Sequence, residues 1–197
     1  MELRLATPEQ LETVYDADLK VSFPAAELKP LRIIQRMLED GYYRPWCLFD
    51  GTEIVGDCFL WLGEPGWALL DYLCISPRCR NGGLGALLLE KMLEAEPGVV
   101  ILGESEMPEY APDPAMAQRR LGFYARNGAR TAGYDTEMFG VPYKTLYWAE
   151  GKVDESALME EHRFVYASTF APDKFRRYVR IPFDPNGTPG ERVSWQQ

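Results

Sequence analysis

The stretch Asp71 to Glu94, DYLCISPRCRNGGLGALLLEKMLE, runs from an apolar segment through a proline and a basic, glycine-rich turn into a leucine-rich amphipathic pattern. A strand that feeds such a turn at a helix N-terminus makes an anion site. The first helical N–H groups lack intrahelical partners, and the helix dipole adds partial positive charge. Glycines let a ligand approach the backbone. The chemistry indicated is phosphate binding, and three patterns compete for it. A Walker loop ends in Gly-Lys-Ser/Thr, whereas Gly85 is followed here by Ala86 and Leu87. A dinucleotide fingerprint needs a third glycine where Leu88 stands, and no hairpin before it. The pattern Arg/Gln-x-x-Gly-x-Gly/Ala is met by Arg80-Asn81-Gly82-Gly83-Leu84-Gly85. Taken alone, the turn can also be a plain connection between strand and helix.

Groups able to move protons lie further along. Glu104 and Glu106 alternate at the end of GVVILGESE, so both project to one side of an extended chain. A carboxylate there can accept a proton, hold a cationic substrate, or be ordinary surface charge. Tyr124 shares a helical face with Ala117 and Leu121 and should point inward. Its phenol, with an ordinary pKa of about 10, is a proton donor at neutral pH or a packing aromatic. His162 is the only histidine, which excludes a histidine-rich metal site; no metal is expected. Its neighbours Glu160, Glu161 and Arg163 predict a solvated helix face. Cys47, Cys58, Cys74 and Cys79 form no CxxC pair. With no signal peptide at MELRLATPEQ, they predict reduced thiols in a cytoplasmic protein. Neither Cys74 nor Cys79 has a histidine at hand to make it a nucleophile.

These residues need a scaffold. The 197 residues suffice for one domain with an appendage, burying roughly 70% of the unfolded surface. A net charge of -9 argues against sequence-independent nucleic-acid binding. No apolar run approaches membrane-spanning length, and Asp71 interrupts the best one. ELRLA reads as a first strand. Thr7, Pro8 and Gln10 then start a helix with a capping box. AAELKPLRIIQRMLEDG reads as a second helix, broken or restarted at Pro30. Two apolar segments around Asp50-Gly51 predict a hairpin. WALLDYLCIS is a buried strand, and Leu84, Leu87, Leu88 and Met92 follow at helical spacing. After GVVILGESE, a helix begins at Asp113-Pro114 and ends at Gly128, and two strands surround Gly140. Hairpins mixed with β-α-β crossovers predict a mixed sheet. ESALMEEHRFVYASTF and PDKFRRYVRIPF read as helical pieces, and the final DPNGTPGERVSWQQ as a polar, mobile tail.

Here the sequence resembles the GNAT superfamily of acyl-CoA-dependent N-acetyltransferases, over about residues 1–149. ISPRCRNGGLGALLLEKM is similar to the family's coenzyme-binding motif, and FYARNGA to its second signature. The resemblance implies an α+β, three-layer α/β/α GNAT fold. Its mixed, mostly antiparallel sheet of about seven strands would occupy residues 1–150. A helical extension (151–183), packed on the core or at a homodimer contact, and a polar tail (184–197) would follow. It implies acetyl-CoA as cosubstrate, its pyrophosphate held by backbone N–H groups from about Asn81 and Gly82 through Gly83, Leu84, Gly85 and Ala86. Arg80 would hold that loop or its phosphates. The main chain of Leu73, Cys74 and Ile75 would pair with the pantetheine arm, one N–H facing the thioester carbonyl.

The implied reaction is direct acetyl transfer to a primary amine of a small molecule or peptide, with no nucleic acid or membrane involved. The amine must lose a proton, for which Glu104 and Glu106 are candidates. The leaving thiolate gains from an acid, and Tyr124 stands at the family tyrosine's place. Many family members carry an asparagine seven residues before that tyrosine; here it is Ala117. Arg119 and Arg120 are substitutes for that contact or a solvated face. The missing asparagine keeps open a non-catalytic acyl-CoA-binding or regulatory module.

Overall fold

The computed structural model describes residues 1–195. Its elements are β1 (Glu2–Leu5), α1 (Pro8–Val14), a π-helical turn (Tyr15–Leu19) continued by α2 (Lys20–Ser22), α3 (Leu31–Glu39), β2 (Tyr43–Asp50), β3 (Glu53–Leu62), β4 (Trp67–Ile75), α4 (Leu84–Ala95), β5 (Val100–Glu106), α5 (Pro114–Arg126), β6 (Arg130–Met138), β7 (Val141–Trp148), α6 (Glu155–Ala167), α7 (Pro172–Tyr178) and β8 (Val179–Phe183). The class is α+β, with a mixed sheet of eight strands. The chain divides into two compact units: Met1–Leu62, Leu70–Pro97 and the chain from Ser194 on; and Gly63–Leu69 with Gly98–Val193.

In the first unit the strands run β1-β2-β3-β4, with β1–β2 and β2–β3 antiparallel. The Asp50-Gly51 turn joins β2 to β3, and Gly51 takes a φ of 61° that favours glycine. Thr7 and Gln10 form the expected capping box on α1. The predicted second helix is shorter than expected. Pro30 disfavours helical dihedrals at the residue before it, so α3 starts only at Leu31. Gly56 on β3 is dictated by packing. A Cβ there would stand 2.7 Å from Ile75 Cδ1 and 3.3 Å from Leu88 Cδ2, so glycine lets α4 and β4 close on β3.

In the second unit the order is β5-β7-β6-β8, all pairs antiparallel. The segment PDKFRRYVRIPF is not helical throughout. Val179, Ile181 and Phe183 are buried and alternate with exposed Arg180 and Pro182, the period of a strand. This strand, β8, raises the count from about seven to eight. Asp113 caps α5 by accepting from Met116 N at 2.9 Å, and Asp154 caps α6 by accepting from Ser156 N and Ala157 N. Of the polar tail expected over 184–197, residues 196 and 197 lie outside the described residues. Val193 N donates to Phe139 O within this unit, and Trp195 N to Ala26 O within the first.

Candidate active site

The glycine turn lies in the first unit. After Ile75 the chain makes a short 3-10 turn (Pro77–Cys79), and Asn81 and Gly83 both take left-handed dihedrals, φ 68° and 77°. Gly83 is the N-cap of α4 and brings no capping side chain. The N–H groups of Gly83, Leu84, Gly85 and Ala86 find no backbone or side-chain acceptor among the described residues; Leu87 N is the first that does, to Gly83 O. A Cβ on Gly83 would meet nothing within 4 Å, and one on Gly82 only Cys79 O at 3.8 Å. Open space thus faces a row of unpartnered donors at the positive end of a helix. A pyrophosphate fits that chemistry.

Arg80 stands in front of this turn but reaches back. Its Nε donates to Ile75 O at 3.1 Å, and its second nitrogen to Ser22 Oγ at 2.7 Å. The guanidinium therefore clamps the loop to the end of β4 and to α2. Leu73 and Ile75 are half-buried on β4, and Cys74 is buried. The Cys74 thiol lies 3.0 Å from Ser22 Oγ. Burial pushes it up to about 11, so it rests protonated and is a poor nucleophile.

The acid–base candidates lie in the second unit. Glu104 on β5 has 14% of its side chain exposed, and its carboxylate accepts two hydrogen bonds and meets an imidazole nitrogen. His162 Nε2 lies 3.0 Å from Oε1, Thr136 Oγ1 donates to Oε1 at 3.3 Å, and the Tyr166 hydroxyl donates to Oε2 at 2.7 Å. Behind the imidazole, the Tyr134 hydroxyl lies 3.3 Å from Nδ1. Burial, reinforced by the nearby Glu104 and Glu155, pushes the Tyr134 phenol far up, so it keeps its proton. Thr145 stands directly opposite Glu104 in the β5–β7 register. Its buried hydroxyl has no hydrogen-bond partner among the described residues. Cross-strand partners share a face, so this orphaned group projects from the same face as Glu104. Glu106, two residues on, accepts from Arg192 at 3.0 Å.

His162 is not on a solvated face, as its charged neighbours suggested. It is fully buried, because Leu158, His162, Val165 and Tyr166 form the inward stripe of α6. That i, i+4, i+7, i+8 spacing was the available signal. Tyr134, Thr136 and Tyr166, none of them expected at a site, complete the cluster.

Tyr124 is half-buried on α5, its ring edge-on to Trp148 at 5.7 Å. Trp148 in turn covers Gly103, where a Cβ would come within 3.0 Å of the indole. Gly103 and Glu104 are adjacent on β5, so their faces are opposite. The structure brings Glu104 and Glu106 to one face and places Tyr124 on the other. Ala117 is buried, and Arg119 and Arg120 are exposed. Among the described residues no group of three or more His, Cys, Asp or Glu side chains is arranged to hold a metal ion, and no helix is long and apolar enough to cross a membrane.

The family model described as "Acetyltransferase (GNAT) family" matches residues 9–126, more than half of the chain. The chain belongs to the GNAT acetyltransferase family. Solved structures share its fold. A putative GNAT acetyltransferase from Bacteroides thetaiotaomicron is 20% identical, with a TM-score of 0.68 over 83% of this chain and 95% of that one. Spermidine N-acetyltransferase from Vibrio cholerae, in complex with CoA and spermine, is 13% identical, with a TM-score of 0.59 over 76% and 95%. Ribosomal-protein-alanine N-acetyltransferase from Brucella melitensis is 16% identical, with a TM-score of 0.56 over 76% and 99%. No curated protein sequence matches the chain. Both Gly82–Gly85 and Tyr124 of this GNAT chain fall inside the matched residues; the His162 and Tyr166 of α6 fall outside them.

Proposed function

We propose that this GNAT protein transfers an acetyl group from acetyl-CoA to a primary amine of a small molecule or peptide. The observation that carries the reading is the row of N–H groups from Gly83 to Ala86, without a partner among the described residues, at the N-terminus of α4 beside the open space at Gly83. These groups, from about Asn81 on, would hold the coenzyme pyrophosphate, with Arg80 keeping the loop in shape. The main chain of Leu73 and Cys74 would align the pantetheine arm; Ile75 takes part through its N–H, since its carbonyl already serves Arg80. The bound cosubstrate supplies an activated acetyl thioester. The amine acceptor must be neutral to attack, and its ammonium has a pKa of about 10. Glu104 is the base in this reading. Thr136 and Tyr166 donate to its carboxylate, His162 stands against it, and the orphaned Thr145 hydroxyl projects from the same face of the sheet. Glu106 lies on the same face, its charge already paired by Arg192, and the acceptor class includes amines such as the spermine bound by the Vibrio cholerae relative. Tyr124 protonates the departing thiolate.

A second reading, a coenzyme-binding module without turnover, is favoured by the buried Ala117 where many family members have asparagine. Calorimetric titration with acetyl-CoA, with free coenzyme A and Gly83→Glu as controls, followed by an amine panel, tests both. Micromolar binding lost in Gly83→Glu supports the cradle. Binding without transfer to any amine would favour the module, and no binding at all would remove both readings.

A further inference from the structure

We propose that His162 is a positioning residue for Glu104, so that helix α6, outside the residues matched by the family, completes the acid–base apparatus. The inference rests on the reading of Glu104 as the base. An ionised carboxylate has no hydrogen to give, so the imidazole nitrogen that faces it carries one. That nitrogen is Nε2, at 3.0 Å from Oε1. Nδ1 then accepts from Tyr134, whose phenol stays protonated in its buried setting, at 3.3 Å. Each of the two hydrogen bonds in the chain Tyr134–His162–Glu104 thus has one defined hydrogen. The carboxylate on β5 sets the tautomer of the ring, Tyr134 on β6 accommodates it, and α6 orients the carboxylate. Tyr166, one helical turn after His162, fixes the second oxygen at 2.7 Å. With both oxygens anchored, the carboxylate cannot rotate. The remaining lone pair of Oε2 is then held in one direction.

A buried ring that only filled space would not need this pattern. Leucine would pack the same stripe with Leu158 and Val165 and leave Glu104 with two donors in place of three. In a water-poor setting a fixed base costs no reorganisation when the proton moves. A carboxylate free to turn loses that advantage, and a displacement of about 1 Å near the chemistry can cost about a hundredfold.

The test compares His162→Leu with His162→Gln, because the glutamine amide offers an N–H where Nε2 stands and leucine offers none. Acetyl transfer to the best amine of the panel is measured beside thermal melting. His162→Leu should lower kcat by at least about tenfold with KM for acetyl-CoA unchanged, and His162→Gln should recover most of it. Equal losses in both variants that track the fall in melting temperature would overturn the proposal, as would wild-type kcat in His162→Leu. A second readout does not depend on activity. The chain has one histidine, so nitrogen-15 labelling gives the two ring-nitrogen signals of a single imidazole. The wild type should show the Nε2–H tautomer, and Glu104→Leu should lose it. An Nδ1–H ring in the wild type would overturn the positioning role whatever the activity. Full activity in Glu104→Gln would instead remove the reading of Glu104 as base while leaving the tautomer result standing.

Discussion

Lys29 and Asp71 form a buried ion pair in which the ammonium lies 2.6 and 2.8 Å from the two carboxylate oxygens. The Lys29 side chain is 4% exposed and that of Asp71 8%. The rings of Trp61 and Trp195 lie over the ammonium at 4.5 and 4.1 Å, and the Tyr43 hydroxyl donates to the carboxylate. Removing one partner leaves the other charged and unpaired in a poor solvent. Asp71→Asn should therefore lower unfolding stability by about 3–5 kcal/mol. Replacing both groups with apolar ones of similar volume, Lys29→Met with Asp71→Leu, should restore most of it. Urea denaturation of the single and double variants checks this, and a double variant no better than the single would refute it.

Arg80 holds the glycine turn from behind, through Ile75 O and Ser22 Oγ, rather than reaching over it. Its removal should loosen the loop without taking away a single backbone donor. Coenzyme affinity should fall about tenfold in Arg80→Ala, the scale of a charge-assisted hydrogen bond. Ser22→Ala should cost less, since the bond to Ile75 O remains. Calorimetry with coenzyme A measures both; an undiminished affinity in Arg80→Ala would show that the turn keeps its shape alone.

Tyr124 lies on the face of β5 opposite Glu104. If it acts as the acid, Tyr124→Phe keeps the ring contact with Trp148 and removes only the proton donor. Turnover should drop roughly a hundredfold with little change in coenzyme affinity. Steady-state kinetics with the preferred amine decide the point, and an unchanged kcat would end the acid role.

Asp57 is fully buried on β3, and neither carboxyl oxygen has a hydrogen-bond partner among the described residues. Burial first, and then the charge of Asp18, raises its pKa well above the usual carboxylate value. The native state therefore holds this proton more tightly than the unfolded chain. From the ordinary carboxylate pKa of about 3.9 upward, this group makes stability fall as pH rises, by up to about 1.4 kcal/mol per pH unit. Asp57→Asn cannot ionise. Its stability relative to the wild type should grow between about pH 4 and about pH 7, as read from urea midpoints across that range. A difference that stays flat would show that Asp57 is paired in the native state.

Three of the four cysteines, Cys47, Cys58 and Cys74, are buried, and burial pushes each thiol up. Cys79, in the turn before the glycines, is half-exposed. A thiol reagent should label Cys79 rapidly in the native protein and the other three only on unfolding. If Cys79 borders the bound coenzyme, saturating coenzyme A should slow that labelling; mass spectrometry of tryptic peptides reads both effects.

Much of the site was legible because local chemistry fixes it. Gly82-Gly83 between a strand and a leucine-rich helix can hardly fold otherwise, since left-handed dihedrals at Gly83 and the unpaired N–H groups of a helix start are local properties. The same holds for the Thr7–Gln10 capping box, the Asp50-Gly51 hairpin, and the Asp113 and Gly128 ends of α5. Strand alternation put Glu104 and Glu106 on one face without any structure. Where two periodicities met in one short segment, the reading went astray, as when the alternation of Val179, Ile181 and Phe183 was hidden behind a helix.

Tertiary structure decided the rest, because it concerns partners distant in sequence. Nothing local relates Glu104 to Tyr134, His162 and Tyr166, which lie 30 to 62 residues away and reach it only when α6 packs on the sheet of the second unit. Charged neighbours on the helix made His162 look solvated. Burial is set by the stripe that finds a surface to cover, and here that surface carries a carboxylate able to satisfy the ring. Arg80 shows the same division: the sequence determined that a cation precedes the glycines, and only the fold decided that it turns back toward Ile75 O and Ser22 Oγ, which the packing of α2 beside the end of β4 brings within its reach.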